Sequence, residues 1–402
     1  MQSRHLPALI VSVWLANPAQ GAGFALIEQN ASGLGNAYAG QAAVAEDAST
    51  IFFNPAGLTY VEGRQVVAAG HLIMPSAEFS DAGSTLAIRG DGGDAGVTAF
   101  VPNFYYAMDV TPDLKFGLGV NAPFGLTTEY DDTWAGQVQA IKSDLKTVNV
   151  NPALGWRVND RLSLGFGLNW QYIEAELTQA AGAAVNPPEA RMEGDDASWG
   201  WNIGALWDID GFNRLGIAYR AAIDHSLEGK LKTPLGATPV YADVEMPASA
   251  SLSYWRRLSP AWELLADLTW TEWSSFEKLD VVRKSDDAVL SHIPEMWENA
   301  WRYSLGLTYR PSRAWTWRSG LAYDETPVPD AAHRTARIPD ADRLWVALGG
   351  QYRFSPKAAV DFGYAQLFVK DAHIVHVNNG TLLRGNYASR IDILGAQYTH
   401  SF

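Results

Sequence analysis

No cysteine occurs among the 402 residues, so neither a disulfide framework nor a thiolate metal site can form. Long apolar runs are missing too. Beyond the first twenty-one residues no uncharged stretch reaches the roughly 18 apolar residues of a spanning helix. Basic charge is scarce. Lys and Arg total 30 against 44 Asp and Glu, and the net charge of −14 opposes a nucleic-acid partner, which needs a basic footprint. That acidity bears first on solubility.

Aromatics and glycine are abundant. There are 16 Trp, 16 Tyr and 36 Gly, yet the mean hydropathy is only −0.11. Rich aromatics at modest hydropathy suit an outer-membrane β-barrel, where alternate residues meet lipid and aromatic girdles mark both interfaces.

The chain opens "MQSRHLPALIVSVWLANPAQG". Arg4 and His5 precede an apolar stretch from Leu6 to Ala16, and Ala19 and Gly21 are small residues at −3 and −1 of a cleavage site. Residues 1–21 therefore read as a signal peptide, and the mature chain would begin at Ala22.

From about residue 64 a period of two dominates. In "RLSLGFGLNWQY" Leu162, Leu164, Phe166, Leu168, Trp170 and Tyr172 share one face, while Ser163, Gly165, Gly167, Asn169 and Gln171 take the other. The pattern returns at Val148–Val158, Trp199–Trp207 and Tyr303–Tyr309. A soluble sandwich also alternates. Here the second face carries Gly, Ser, Asn and Thr, which suits a hydrated or filled lumen.

Short breakers sit at Thr111-Pro112-Asp113, Asn159-Asp160, Asp210-Gly211, Ser259-Pro260, Pro311-Ser312 and Ser355-Pro356. These six turns divide residues 64–402 into seven hairpins and predict a barrel of fourteen antiparallel strands. Polar segments such as "SDAGSTLAIRGDGGDAG" and "ETPVPDAAHRTARIPDADR" read as extracellular loops. The chain ends on an alternating strand closed by Phe402.

Residues 22–63 do not alternate. "IEQNASGLGNAYAGQAAVAEDAST" is rich in Ala and Gly, and Pro55 interrupts the apolar run around "IFFNPAGL". A lumen of fourteen strands must be filled or stay an aqueous channel. This segment reads as a partly helical plug, with Asn54, Pro55 and Ala56 forming a stiff turn in it.

Several stretches here resemble the FadL family of outer-membrane transporters of hydrophobic compounds, which includes outer membrane protein P1 and TodX. They are "AGF" at 22–24, "SGLGNAYAG" at 32–40, "AEDAS" at 45–49, "NPAGL" at 54–58, "FGLTTEYDDTWAG" at 124–136, "WGWNIG" at 199–204 and "RIPDADRLW" at 337–345. The resemblance implies a signal peptide over 1–21, a hatch over 22–63 and a barrel over 64–402. It implies passive transport of long-chain fatty acids or other hydrophobic compounds, with capture between extracellular loops, an internal pocket and lateral exit at a gap in the third strand. Ala22, Phe24, Asn54, Pro55 and Ala56 would belong to the hatch and its gating. By the turn count the third strand starts near Leu114, and Pro123 and Gly125 in "VNAPFGLTTEY" would mark its gap, since Pro removes a ladder donor and Gly a side chain. Expected partners are the hydrophobic ligand, outer-membrane lipid and lipopolysaccharide, and the barrel-assembly machinery through Phe402. The protein would act as a monomer, without cofactor or metal.

One departure stands out. Gln179 and Glu298 fall where the family's fatty-acid members would place basic pocket residues, and a desolvated carboxylate needs a cation or N–H partner. A neutral aromatic or alkane ligand is the alternative, although the amine of Ala22 could supply charge. Other constellations are weak. His373 and His376 would face opposite sides of a strand, so they make no metal site. "GLGNAYAG" follows no strand of a βαβ unit. Arg334, Asp340, Asp342 and Arg343 are expected to pair at a loop base. No "GxSxG" elbow occurs, so a lipid hydrolase, like an adhesin, is the lesser reading, and the chain is not expected to be an enzyme.

Overall fold

The computed structural model describes residues 23–402 apart from Arg89 and Asn186, so the signal-peptide assignment and Ala22 lie outside the described residues. The wall begins at Arg64. Its strands are β1 (Arg64–Asp81), β2 (Ala99–Asp109), β3 (Leu114–Asn121 and Gly125–Glu129), β4 (Lys142–Arg157), β5 (Leu162–Ala180) and β6 (Glu189–Asp208). Then come β7 (Asn213–Arg220 and Ile223–Thr233), β8 (Gly236–Met246 and Ser249–Arg257), β9 (Trp262–Thr271 and Lys278–Arg283) and β10 (Val289–Pro294 and Ala300–Tyr309). The wall finishes with β11 (Trp315–Asp324), β12 (Arg343–Ser355), β13 (Ala358–Val369 and Ala372–Asn378) and β14 (Thr381–Ser401). Each strand pairs antiparallel with the next, and β14 closes on β1 from Gln65↔Ser401 to Asp81↔Gly385. Closure removes the two terminal sheet edges, which a lipid environment requires.

The alternation has the polarity its composition predicts. Along β5, Leu164, Phe166 and Leu168 are exposed while Ser163, Asn169 and Gln171 are buried. Apolar side chains therefore face outward to lipid, and polar and small ones face the lumen. His373 is exposed and His376 buried, as a strand demands.

Residues 23–63 pack against the inward faces of the wall. They contain three one-turn helices, α1 (Ala31–Leu34), α2 (Gln41–Val44) and α3 (Thr50–Phe53), followed by a 3-10 turn at Pro55–Tyr60. Side-chain caps explain the short pieces. Asn30 Oδ1 accepts from the Gly33 N–H at 3.0 Å, and Asn54 Oδ1 accepts from the Ala56 N–H at 3.0 Å with Pro55 at the first helical position. Asn54 also joins α2 to the wall, since Nδ2 donates to the Ala42 carbonyl of α2 at 2.7 Å and to the Ala205 carbonyl of β6 at 3.0 Å. Glu46 ties the segment to the far wall through Arg318 at 2.8 Å, and Arg318 in turn pairs with Asp361 at 2.8 Å. The two arginines beside Glu46, Arg318 and Arg310, hold its carboxyl below the usual carboxylate range against the opposing effect of burial.

Candidate functional site

The strand-3 interruption organises the site. Pairing of β2 with β3 stops at Phe104↔Val120, and Ala99–Asn103 of β2 pair only with β1. Past Asn121 the next bridge on that side is the isolated Gly96↔Thr128. On its other side β3 stays attached, from Gly125↔Lys146 to Glu129↔Lys142 of β4. Ala122, Pro123 and Phe124 thus leave the strand beside an unpaired stretch of β2. Part of the lost hydrogen bonding is supplied from within. The Leu26 N–H donates to the Pro123 carbonyl at 2.8 Å, the Gly125 N–H donates to the Phe24 carbonyl at 2.9 Å, and Gln29 Nε2 donates to the Ala122 carbonyl at 2.9 Å.

Phe24 is 2% exposed and enclosed by aromatic rings. Its centroid lies 4.6 Å from Trp273, 5.6 Å from Phe276, 5.8 Å from Trp297 and 6.1 Å from Phe124. Gly23 donates its N–H to Asp340 Oδ2 at 3.1 Å, and Asp340 pairs with Arg343. The expected ion pairing at this loop base is therefore split. Arg334 donates to the Asp340 carbonyl at 2.8 Å, whereas Asp342 meets Lys370 at 2.8 Å.

Beneath the aromatic cluster lies an internal cavity. Its atom-free space is about 1150 Å³ with its open mouth included. Its apolar surface comes from Leu26, Phe52, Phe53, Pro123, Phe124 and Trp273. Two cations and two carboxylates also line it: Arg220, Arg302, Asp267 and Asp324. Arg302, 6% exposed, donates Nη2 to the Ala37 carbonyl at 2.8 Å and stands 5.0 Å over the Trp345 ring. Among the described residues its Nε and Nη1 have no hydrogen-bond partner. Arg220 is committed to Asn169 at 2.5 Å and to the Phe52 carbonyl at 3.0 Å. Glu28, on the inner segment, is 1% exposed, and burial raises its pKa to about 7.

The residues picked from sequence fall into two groups. Phe24 and Pro123 stand at the cavity and its roof, Gly125 begins the second half of β3, and Asn54, Pro55 and Ala56 lie below, against β5 and β6. Gln179 and Glu298 do not line the cavity, and matching them to basic pocket positions is corrected here. Gln179 sits at the outer end of β5 and accepts from Arg337 Nη2 at 3.1 Å. Glu298 is exposed, in the break of β10 between Pro294 and Ala300, in the same outward phase as Pro294 and Met296. The cavity's cations are Arg220 and Arg302 instead. The signal for Arg302 is present in "WRYSLGLTY": a charge in the inward phase between outward Trp301 and Tyr303.

A closed fourteen-strand barrel with a lipid-compatible exterior, a filled lumen and an apolar cavity beside a wall break is the architecture of an outer-membrane transport protein. A family model described as outer membrane protein transport protein (OMPP1/FadL/TodX) matches residues 12–402, and the chain belongs to that family. It is 31% identical to the long-chain fatty acid transport protein of Escherichia coli strain K12 over 422 residues, covering 93% of each chain. It is 31% identical to outer membrane protein P1 of Haemophilus influenzae over 417 residues, covering 90% of this chain and 89% of the relative. Among solved structures, a Pseudomonas aeruginosa FadL homologue is 27% identical with a TM-score of 0.88, covering 95% of this chain and all (100%) of that one. The Pseudomonas putida toluene transporter TodX, 16% identical with a TM-score of 0.70 over 95% of this chain and 100% of its own, shares the fold.

Proposed function

We propose that this protein carries long-chain fatty acids and related amphiphiles across the outer membrane by passive diffusion. A ligand taken up between the extracellular loops would enter the cavity, then leave sideways into the bilayer past Pro123 and Gly125. The observation that carries this reading is one cavity that touches both Arg302, with two unpaired N–H donors, and the strand-3 break at Pro123 and Phe124. A carboxylate would seat on Arg302 while the acyl chain lies against Phe52, Phe53 and Phe124. Each methylene kept from water contributes about 0.8 kcal/mol, so lateral release into lipid needs no energy source. The segment before β1 acts as a hatch that closes the lumen to water-soluble solutes. Phe402, 66% exposed at the end of β14, is the contact for barrel assembly, and the closed wall suits a monomer in lipid and lipopolysaccharide.

A second reading is favoured by charge balance: Asp267 and Asp324 offset Arg220 and Arg302, which suits a neutral aromatic or alkane ligand. Mass spectrometry of compounds retained by the purified protein, together with uptake by cells lacking their own fatty-acid transporter, separates the two. Retained fatty acids and restored growth on oleate support the first reading. Retained hydrocarbons with no fatty-acid uptake overturn it.

A further inference from the structure

A second break crosses the wall between β6 and β7, three strands on from the interruption of β3. Strand β6 pairs with β7 from Asp208↔Arg214 to Asn202↔Arg220, and again from Asp195↔Glu228 to Arg191↔Lys232. Between these ladders, Asp196–Trp201 and Ala221–Leu227 form no bridge with each other, though each keeps its pairing on the far side. β6 itself is continuous here and fully paired to β5, so it is β7 that departs. The departure is local to one hairpin. β7 is interrupted at Ala221-Ala222, and β8 at Pro247-Ala248. Beyond these two points the outer hairpin Ile223–Met246 holds β6 through one short ladder, and β9 through Val240↔Arg283 and Tyr241↔Val282.

Side chains close the seam where the main chain does not. His225 Nδ1 lies 2.8 Å from Asp196 Oδ2, and its Nε2 lies 3.1 Å from Gln171 Oε1. Apart from these, the Ala221 N–H donates to the Trp201 carbonyl at 2.9 Å and the Ser226 N–H to Asp196 at 3.3 Å. Ile223 fills the remaining gap over Gly200, where a β-carbon would stand 2.6 Å from Ile223 Cγ1. Only a residue without a side chain admits that filler, and a rotamer change withdraws it. Unpaired backbone facing hydrocarbon costs several kcal/mol per group and persists only beside protein or a hydrated cavity. The cavity provides that setting, since Asn202, Ala218 and Arg220 at the lower edge of the seam line it. Outside, Trp199 and Trp201 are exposed, as interfacial aromatics are.

We propose that the β6–β7 seam is a second lateral port, through which an apolar or amphiphilic chain enters the cavity from the outer half of the bilayer ahead of the strand-3 exit, with Ile223 as its filler and the His225–Asp196–Gln171 bonds as its latch. This rests on the transport reading above. The seam can be closed by design, because the chain contains no cysteine of its own. Ala197 and Ser226 stand opposite one another when the outer register is continued, so an A197C/S226C variant, linked by oxidation or by a short bifunctional thiol reagent, staples the port. Uptake of a fluorescent long-chain fatty acid should fall at least threefold when the pair is linked and recover on reduction of the disulfide. Equal uptake in the linked and reduced states overturns the port and leaves the transport reading standing. No uptake by the wild-type protein overturns both. A second measurement does not depend on transport. In lipid nanodiscs those amides of 196–201 and 222–227 that point into the seam, and so are not bonded to β5 or β8, should exchange hydrogen at least tenfold faster than the amides of 202–208 that point to β7. Equal protection means a zipped wall and also overturns the port.

Discussion

Asn54 and Gly204 share one volume: a β-carbon placed on Gly204 would stand 1.9 Å from Asn54 Oδ1. The same amide caps the 3-10 turn and donates to the Ala205 carbonyl, so the segment before β1 and the wall are joined through it. Gly204→Ala should therefore unseat Asn54 at a cost of about 1–3 kcal/mol while the barrel still folds. Cells carrying it should become more permeable to small hydrophilic antibiotics, read as a lowered inhibitory concentration. An unchanged concentration would mean that this contact does not keep the lumen closed.

Arg302 is where the two proposed ligand classes can be told apart. Replacing it by Met keeps much of the volume and removes the free donors. A charge-assisted hydrogen bond contributes about 1.5–3 kcal/mol, so fatty-acid affinity should fall roughly tenfold to a hundredfold, measured by calorimetry in detergent. Affinity for a neutral hydrocarbon such as toluene should hold. Unaltered fatty-acid binding would take the headgroup off Arg302.

Gly125 starts the second half of β3 beside the unpaired stretch of β2. A Gly125→Trp variant should fill the gap and reduce fatty-acid uptake at least tenfold, while the protein keeps its heat-dependent gel shift as a folded barrel. Normal uptake in a folded variant would remove the strand-3 exit.

Glu295, in the loop before Ala300, is 2% exposed and accepts from Trp297 Nε1 at 3.1 Å. Burial pushes its pKa up from 4.5 to about 8. The folded loop therefore binds a proton that the unfolded chain has released, and its stability falls as pH rises from about 4.5 through about 8. Protease resistance of this loop should decline across that window, and Glu295→Gln should flatten the decline. A wild-type profile that rises or stays level across the window would contradict the buried neutral acid.

The wall was legible because its physics is local. Alternation assigns each residue to lipid or lumen, and the turns at Asn159-Asp160 and Ser355-Pro356 need only their own sequence, which is why fourteen strands can be counted without a structure. Glu298 could have been kept off the lumen by the same rule, because it shares the outward phase of Pro294 and Met296. Arg302 could have been found as an inward-phase charge. The aromatic enclosure of Phe24 could not, because Trp273, Phe276 and Trp297 come from distant loops and a 3-10 turn, and only closure of the barrel brings them together. The seam at Asp196–Trp201 is also invisible in sequence, since "DDASWGW" alternates like its neighbours and what is missing is a partner.

Gly23 is bonded to Asp340, and the Ala31 N–H donates to Gln397 Oε1 at 3.1 Å, across a separation of 366 residues. Gly23 and Ala31 thus find partners in the loop before β12 and on β14, while Phe24, Leu26 and Gln29 are bonded at the interruption of β3. Contacts so remote in sequence form late in folding. The bonds of Gly23 and Ala31 can form only after β12 and β14 have been made, whereas those at β3 need only the first strands. One short stretch therefore joins the earliest part of the wall to the latest.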